Sequence, residues 1–375
     1  MSKIAAPRFL ALDVFRGMTV CFMIIVNTPG NYETTLAPLL HANWHGFTPT
    51  DLVFPSFLFA VGNAMAFVFP KWEGMPQSVV LTKILKRTAI IFLLGYLMYW
   101  FPFVRWDGNQ FSAFPFSETR VFGVLQRIAL CYGITALLIY YLKPKATYII
   151  TIILLLLYWF LMVQFGSGTD PYSLEGNAVL RLDKWLIGEK HMYHGDGIAF
   201  DPEGLLGTLP SIANVVFGYW AGELVRKKGQ VWETVAMLLL AAALFLFVAY
   251  CWDPFFPINK KLWTSSYVML TVGIDLALLA VLIYIIEFRK MAGWTSFFTV
   301  FGKNPLFIYL LSEVIAILLW FFKTSDGKPY YNHLYEKLFS YLGPYTGSLA
   351  FALFIMMVCW LVGWWMNKRK IYVRV

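Results

Sequence analysis

Charge is scarce in this sequence. Only 14% of its 375 residues are Asp, Glu, Lys or Arg, against roughly 25% in soluble domains. That shortage excludes an ordinary water-soluble globule. Cysteine is also rare: Cys21, Cys131, Cys251 and Cys359 lie in or beside apolar runs. They read as small core residues and exclude a disulfide framework. No Walker-type or GxGxxG glycine pattern occurs, so nucleotide hydrolysis and dinucleotide folds have no support. Internal repeats and low-complexity linkers are missing, and so is the half-to-half symmetry common in transporters. The first apolar run contains Asp13 and Arg16 and lacks a small-residue cleavage site, so no cleavable signal peptide is expected.

What the sequence has is hydrocarbon: 59% hydrophobic residues and 19% aromatic ones, with a mean hydropathy of +0.64. Several runs exceed the ~18 apolar residues that mark a spanning helix. The alternation of a β-barrel is missing. The expected fold class is an all-α polytopic membrane protein, with about ten transmembrane helices in one bundle. The windows fall at 10–29, 51–70, 83–102, 119–142, 146–165, 204–225, 231–251, 263–287, 297–322 and 345–366.

Basic clusters alternate with these windows: Lys3 and Arg8, then Lys83, Lys86 and Arg87, then Lys143 and Lys145. Arg226-Lys227-Lys228, Arg289-Lys290 and Lys368-Arg369-Lys370 continue the series. By the positive-inside rule both termini are cytoplasmic and the intervening loops extracytoplasmic. This topology accounts for the net charge of +9, so the partner is a lipid bilayer and not nucleic acid. Residues 1–375 read as a single transmembrane domain, with extracytoplasmic loops at 30–50 and, the longest, at 166–203.

Ionisable residues at membrane depth are functional candidates by default. They are Arg16, Arg127, Asp275, Lys303 and Glu313. Asp275 is placed to neutralise Arg127 or Lys303, and Asp13 to pair with Arg16 at i,i+3. Arg127 beside Gln126, and Lys303 beside Asn304-Pro305, suit the phosphates of an anionic cofactor.

The most polar break between early spans is His41-Ala42-Asn43-Trp44-His45-Gly46, next to Asn27 at the end of the first span. Imidazole exchanges protons near neutral pH. The four-residue separation of His41 and His45 suits zinc on a helix, but Gly46 and Pro49 interrupt any helix there, so no metal is expected. Thr48-Pro49-Thr50-Asp51 reads as a capping box with proline at N1, which makes Asp51 a helix cap first and a catalytic partner second. Trp44 reads as an interface anchor.

The motifs Leu12-Asp13-Val14-Phe15-Arg16-Gly17, His41–Gly46, Asp51-Leu52-Val53-Phe54-Pro55 with Gly62, and Gly123–Arg127 come first in the chain. Asp201–Thr208, Asn259-Lys260, Leu262–Tyr267 and Gly302-Lys303-Asn304-Pro305 follow. This ordered set resembles the heparan-α-glucosaminide N-acetyltransferase family, and within it the bacterial inner-membrane branch. The resemblance implies acetyl transfer from cytoplasmic acetyl-CoA to the amine of a glucosamine-type sugar on the far side of the membrane. His41 matches the family's active-site histidine, Asn27 a functional asparagine, and Gln126-Arg127 its Gln-Arg pair. Arg16, Gln126, Arg127, Ser266, Lys303 and Asn304 are then expected on acetyl-CoA, and Asp201, Glu203, His45 and Trp263 on the sugar. The family further suggests a homodimer. Its lysosomal members carry an N-terminal luminal domain and one more span, which this chain is expected to lack. General base catalysis and a transient acetyl-His both fit His41. A small-sugar permease and an O-acyltransferase of surface polysaccharide are the rival functions.

Overall fold

The computed structural model describes residues 9–106 and 110–373. Lys3 and Arg8 of the first basic cluster lie outside these residues. Among the described residues the chain is mostly helical. The helices are α1 Leu10–Asn27, α2 Val53–Val68, α3 Gln77–Trp100, α4 Val124–Phe165, α5 Ala178–Leu186 and α6 Thr208–Lys228. They continue with α7 Trp232–Trp252, α8 Ser265–Ile283, α9 Thr295–Lys303, α10 Pro305–Phe321, α11 Tyr330–Leu338 and α12 Pro344–Lys368. A short antiparallel hairpin, β1 Val104–Trp106 with β2 Phe111–Ala113, caps the α3–α4 connection.

Six stretches are long and apolar enough to cross a membrane: α1, α2 with its flanking turns, α4, α7, α8 with the following π-turn, and α12. The α9–α10 pair makes a seventh if a bend of 84° is allowed. This is an all-α membrane protein. The ten expected spans are not reached on length and apolarity alone. Lys83, Lys86 and Arg87 dilute α3, and Arg226-Lys227-Lys228 close α6. The two windows expected at 119–142 and 146–165 run together as the 42-residue α4, interrupted at Lys143, whose φ of 63° and ψ of 163° leave helical space just before Pro144.

The window expected as one span at 297–322 is broken. Asn304, at φ −132° and ψ 50°, separates α9 from α10, and Pro305 has no amide to continue the ladder. The Lys303 ammonium donates to Asn367 Oδ1 at 2.7 Å. The Asn304 side chain donates to the Ile371 carbonyl and accepts from the Val373 amide, so the C-terminal segment is tied over the break. Arg16 pairs with Asp13 at 3.8 Å, as the i,i+3 spacing implies, and also donates to the Gly302 carbonyl at 3.3 Å. Asp275 departs from expectation. It accepts from Ser56 at 2.5 Å and pairs with neither Arg127 nor Lys303, because α8 turns it towards α2.

Two close helix pairs fix the frame. A Cβ added at Gly62 would stand 1.9 Å from the Val215 carbonyl, and one at Gly218 2.1 Å from the Phe59 carbonyl, so α2 and α6 touch backbone to backbone. Small residues permit this approach in membrane bundles. Gly62→Ala must push the helices apart, and overpacking of this kind costs about 1–3 kcal/mol. A fall in the unfolding midpoint of the detergent-purified protein is the expected readout; an unchanged midpoint would mean the contact is dispensable.

Candidate active site

One cavity of about 610 Å³ opens where several helix ends converge, well within the size of small-molecule sites. The end of α1 supplies Asn27, the end of α3 Tyr99, and α10 Tyr309 and Glu313. The connections supply His41, Arg120, Tyr193, Glu203 and Lys260.

The His41 loop is fixed by backbone and side-chain bonds at several points. Gly46 N donates to the Ile258 carbonyl at 2.8 Å, and the Trp44 indole donates to the Tyr172 carbonyl at 2.9 Å. Trp44 also packs edge-on against Phe200 at 5.7 Å. It therefore braces the 166–203 loop. His45 contacts the Asn259 side chain at 3.3 Å, steadying the loop that carries Lys260. Burial holds the His45 imidazole below its ordinary pKa.

Asp51 does two jobs with two oxygens. Its Oδ2 accepts from the Thr48 amide at 2.9 Å and from the Thr48 hydroxyl at 3.1 Å, completing the capping box. Its Oδ1 lies 2.7 Å from His41 Nδ1. A carboxylate can only accept, so Nδ1 carries the proton and Nε2 presents its lone pair. Tyr267 donates to the Asp51 carbonyl at 2.6 Å and holds this end of the helix in place. The reading of Asp51 as a cap is met by Oδ2, and Oδ1 is left to hold His41.

Lys260 Nζ stands 3.1 Å from both His41 ring nitrogens, against the ring and not along one lone pair. The His41 side chain is 45% exposed, but that surface faces the cavity. Burial, seconded by the Lys260 charge and opposed by the Asp51 bond, holds the imidazole below its ordinary pKa. Burial also lowers Lys260, against the pull of Glu203 and Asp51.

Across the cavity Arg120 grips two carboxylates. Its Nε donates to Asp201 Oδ2 at 2.9 Å, and its Nη2 to Asp201 Oδ1 and Glu203 Oε2 at 2.6 Å each. The guanidinium is sandwiched between the rings of Tyr99 and Tyr193, at 4.8 and 4.9 Å. Burial favours the neutral acid at Glu203, but Arg120, Arg127 and Lys260 overrule it and keep it ionised. Sequence reasoning missed Arg120. Its only signal was the pair of acidic side chains at Asp201 and Glu203, which need a cation wherever they are buried.

The remaining expected site residues lie behind this cavity or away from it. Arg127 is fully buried beneath the 201–207 turn, donating to the Gly204 carbonyl at 2.9 Å with its guanidinium over Trp263 at 4.9 Å. Trp263 is 1% exposed and gives its indole N–H to Asn214, so no sugar can reach it as it stands. Its backbone is left-handed, φ 55°, a strained shape for a bulky residue. Ser266 is buried and donates to the Phe256 carbonyl at 2.5 Å. Arg16, Lys303 and Asn304 gather at the α9–α10 break, off the cavity wall.

A membrane helix bundle that carries an oriented His–Asp pair inside a charged cavity defines a class: an integral membrane protein with the makings of a proton-transfer site. The chain belongs to the family described as heparan-alpha-glucosaminide N-acetyltransferase, catalytic, whose model matches residues 8–248. It is similar to the heparan-alpha-glucosaminide N-acetyltransferases of Mus musculus, 26% identical over 396 aligned positions, and Homo sapiens, 25% identical over 390. These alignments cover 89% and 88% of this chain but 58% and 57% of the relatives, so the chain spans little more than half their length.

Proposed function

We propose that this protein is a transmembrane acetyltransferase that moves acetyl from acetyl-CoA to the amine of a glucosamine-type sugar. The observation that carries the reading is the His41–Asp51 bond inside the cavity. Family membership supplies the class of reaction.

The topology belongs to the same proposal. Ten spans result when α3 and α6 are added to the six apolar stretches and the bent α9–α10 pair, with α4 counted as two. Both termini are then cytoplasmic and His41 faces the other side, in a bacterial case the periplasm. A homodimer stays part of the family-based expectation.

Whether acetyl-CoA suits these residues is testable on the polar atoms left over. Among the described residues, Arg127 Nε and Nη1 and both amide atoms of Gln126 are buried without a hydrogen-bond partner. Unmet polar atoms cost about 1–3 kcal/mol each, and a pantetheine arm has amides and hydroxyls to satisfy them. Arg16 and Lys303 are the cations suited to its phosphates. Ser266 and Asn304 have their side chains engaged within the protein and fit less well. When bound, acetyl-CoA supplies an acyl carbon activated as a thioester.

His41 Nε2 takes one proton from the acceptor's ammonium, freeing the lone pair that forms the nitrogen–carbon bond. The second nitrogen proton goes to the sulfur as the carbon–sulfur bond breaks, and the imidazolium sheds its proton to water. Asp51 holds the ring in the productive tautomer throughout. Asn27 and Lys260 are the donors available to the developing oxyanion. Glu203 lines the cavity and presents a carboxylate edge to sugar hydroxyls, while Asp201, expected on the sugar as well, is fully buried behind it and holds Arg120 in place.

The test is transfer by the detergent-purified protein. N-acetylglucosamine should form from glucosamine and acetyl-CoA, with no product from N-acetylglucosamine as acceptor. Acetylation of hydroxyls instead would favour the O-acyltransferase. Glucosamine flux into proteoliposomes without acetylation would favour the permease.

A further inference from the structure

We propose that Glu313 is the ammonium site of this cavity: it binds the protonated amine of an amino sugar and thereby makes the cavity prefer the free amine over its acetylated form. The inference rests on the acetyltransfer reading and names the group that selects its acceptor.

Arg120, Lys260 and Lys261 line the cavity as cations. Asp196, Glu203 and Glu313 line it as carboxylates, and Asp51 and Asp201 stand directly behind, bonded to His41 and Arg120. Three positive groups thus meet five negative ones while His41 is neutral. The pairings locate the excess. Arg120 takes Asp201 and Glu203, Lys261 takes Asp196, and Lys260 stands between His41 and Asp51's side of the loop. Glu313 is the lining carboxylate with no Lys, Arg or His within ion-pair distance among the described residues.

Its surroundings are those of a binding group. Glu313 sits two turns into α10, in the half-helix that follows the break at Asn304. Its Oε1 accepts from Asn27 Nδ2 at 3.4 Å, a long bond that fixes the carboxylate without neutralising it. Its other oxygen has no protein partner among the described residues. A charge at this depth is costly unless something of opposite sign meets it. The phosphates of an acyl carrier are the wrong sign, and a thioester and its pantetheine arm are neutral. An ammonium is the complementary group. Asn27, which touches Glu313, lines the same cavity as His41, so the anchored amine and the base share one chamber.

A consequence follows for turnover. Acetylation converts the cation into a neutral amide, which gains nothing from Glu313. Product release is then favoured by loss of the ionic partner. A charge-assisted pair of this kind makes a difference of about tenfold or more in affinity.

The experiment measures binding by isothermal titration on the purified full chain without acetyl-CoA, using glucosamine, glucose and N-acetylglucosamine. The wild-type protein should bind glucosamine about tenfold or more tighter than either neutral sugar. Glu313→Gln should bring the three together, and Glu313→Asp should keep part of the preference. A melting curve for each variant checks folding. If Glu313→Gln does not fold, Glu313→Asp and the wild-type comparison decide. An undiminished preference in Glu313→Gln, or no preference in the wild type, overturns the assignment. The two proposals separate cleanly. A Glu313-dependent preference without acetyl transfer sinks the acetyltransfer reading alone. Transfer with an unaltered preference in Glu313→Gln sinks this inference alone.

Discussion

His41→Ala should lower acetyl transfer by about 10²- to 10⁴-fold, the usual contribution of a positioned general base, with acetyl-CoA binding intact. The ring lines the cavity and its Nδ1–H donates to Asp51 Oδ1, so its removal deletes a base that is not part of the helices behind it. Asp51→Asn is the sharper companion. An amide can donate to Nδ1 and stabilise the wrong tautomer, so the rate should fall although His41 is present. It should also weaken the capping box, because Oδ2 accepts from Thr48. A stability measurement therefore has to accompany the kinetics. The pH profile supplies an independent readout. His41 works as the neutral base, and its pKa is held below the ordinary ~6.5. The acid limb of the rate should accordingly lie below that value, with activity lost as pH falls through it. Lys260→Met removes a charge that lowers the His41 pKa, so the acid limb should move to higher pH. A fully active His41→Ala protein, or a limb indifferent to Lys260, would remove the base assignment.

How much of this was legible beforehand divides along physical lines. The membrane helices were readable because apolar length is a local property of sequence. The Lys143-Pro144 break and the Asp13–Arg16 pair were readable for the same reason, since each lies within a few residues of chain. The Asn304-Pro305 break was in view too, yet the 297–322 window treated it as continuous, because hydropathy averages over a kink. His41 was found through the composition of its loop. Its partners were harder. Asp51 is ten residues away and had a complete local explanation as a cap, which concealed that a carboxylate has a second oxygen to give. Lys260 is 219 positions away and Arg120 is 81 from Asp201, distances at which no periodicity carries information. Trp263 and Asp275 show the same difficulty: the Trp263 indole donates to Asn214 on α6 and Asp275 accepts from Ser56 on α2, partners 49 and 219 positions away.

The second large effect concerns stability. Arg120→Ala should destabilise the protein by about 3–5 kcal/mol, the range for leaving a buried charge without its partner. The Arg120 side chain is 16% exposed, Asp201 0% and Glu203 12%, so solvent screens these groups little. One guanidinium satisfies both carboxylates, and the faces of Tyr99 and Tyr193 enclose it. Lysine cannot reproduce that geometry, since it lacks the planar fork and the stacking surface; Arg120→Lys should recover only part of the loss. The loop should suffer before the bundle does. Asp201 Oδ1 also accepts the Glu203 amide, and the turn it closes runs into Gly204, whose carbonyl accepts from Arg127. Losing Arg120 therefore loosens the cavity wall that faces His41, and transfer should fall further than the stability change alone predicts. Adding Asp201→Asn to Arg120→Ala removes one of the stranded charges. The double variant should then be more stable than the sum of the two single effects, by the 0.5–3 kcal/mol typical of residues in one network. Strict additivity would mean that Arg120 and Asp201 do not act as a pair, and that the wall is held by the tyrosine stack instead.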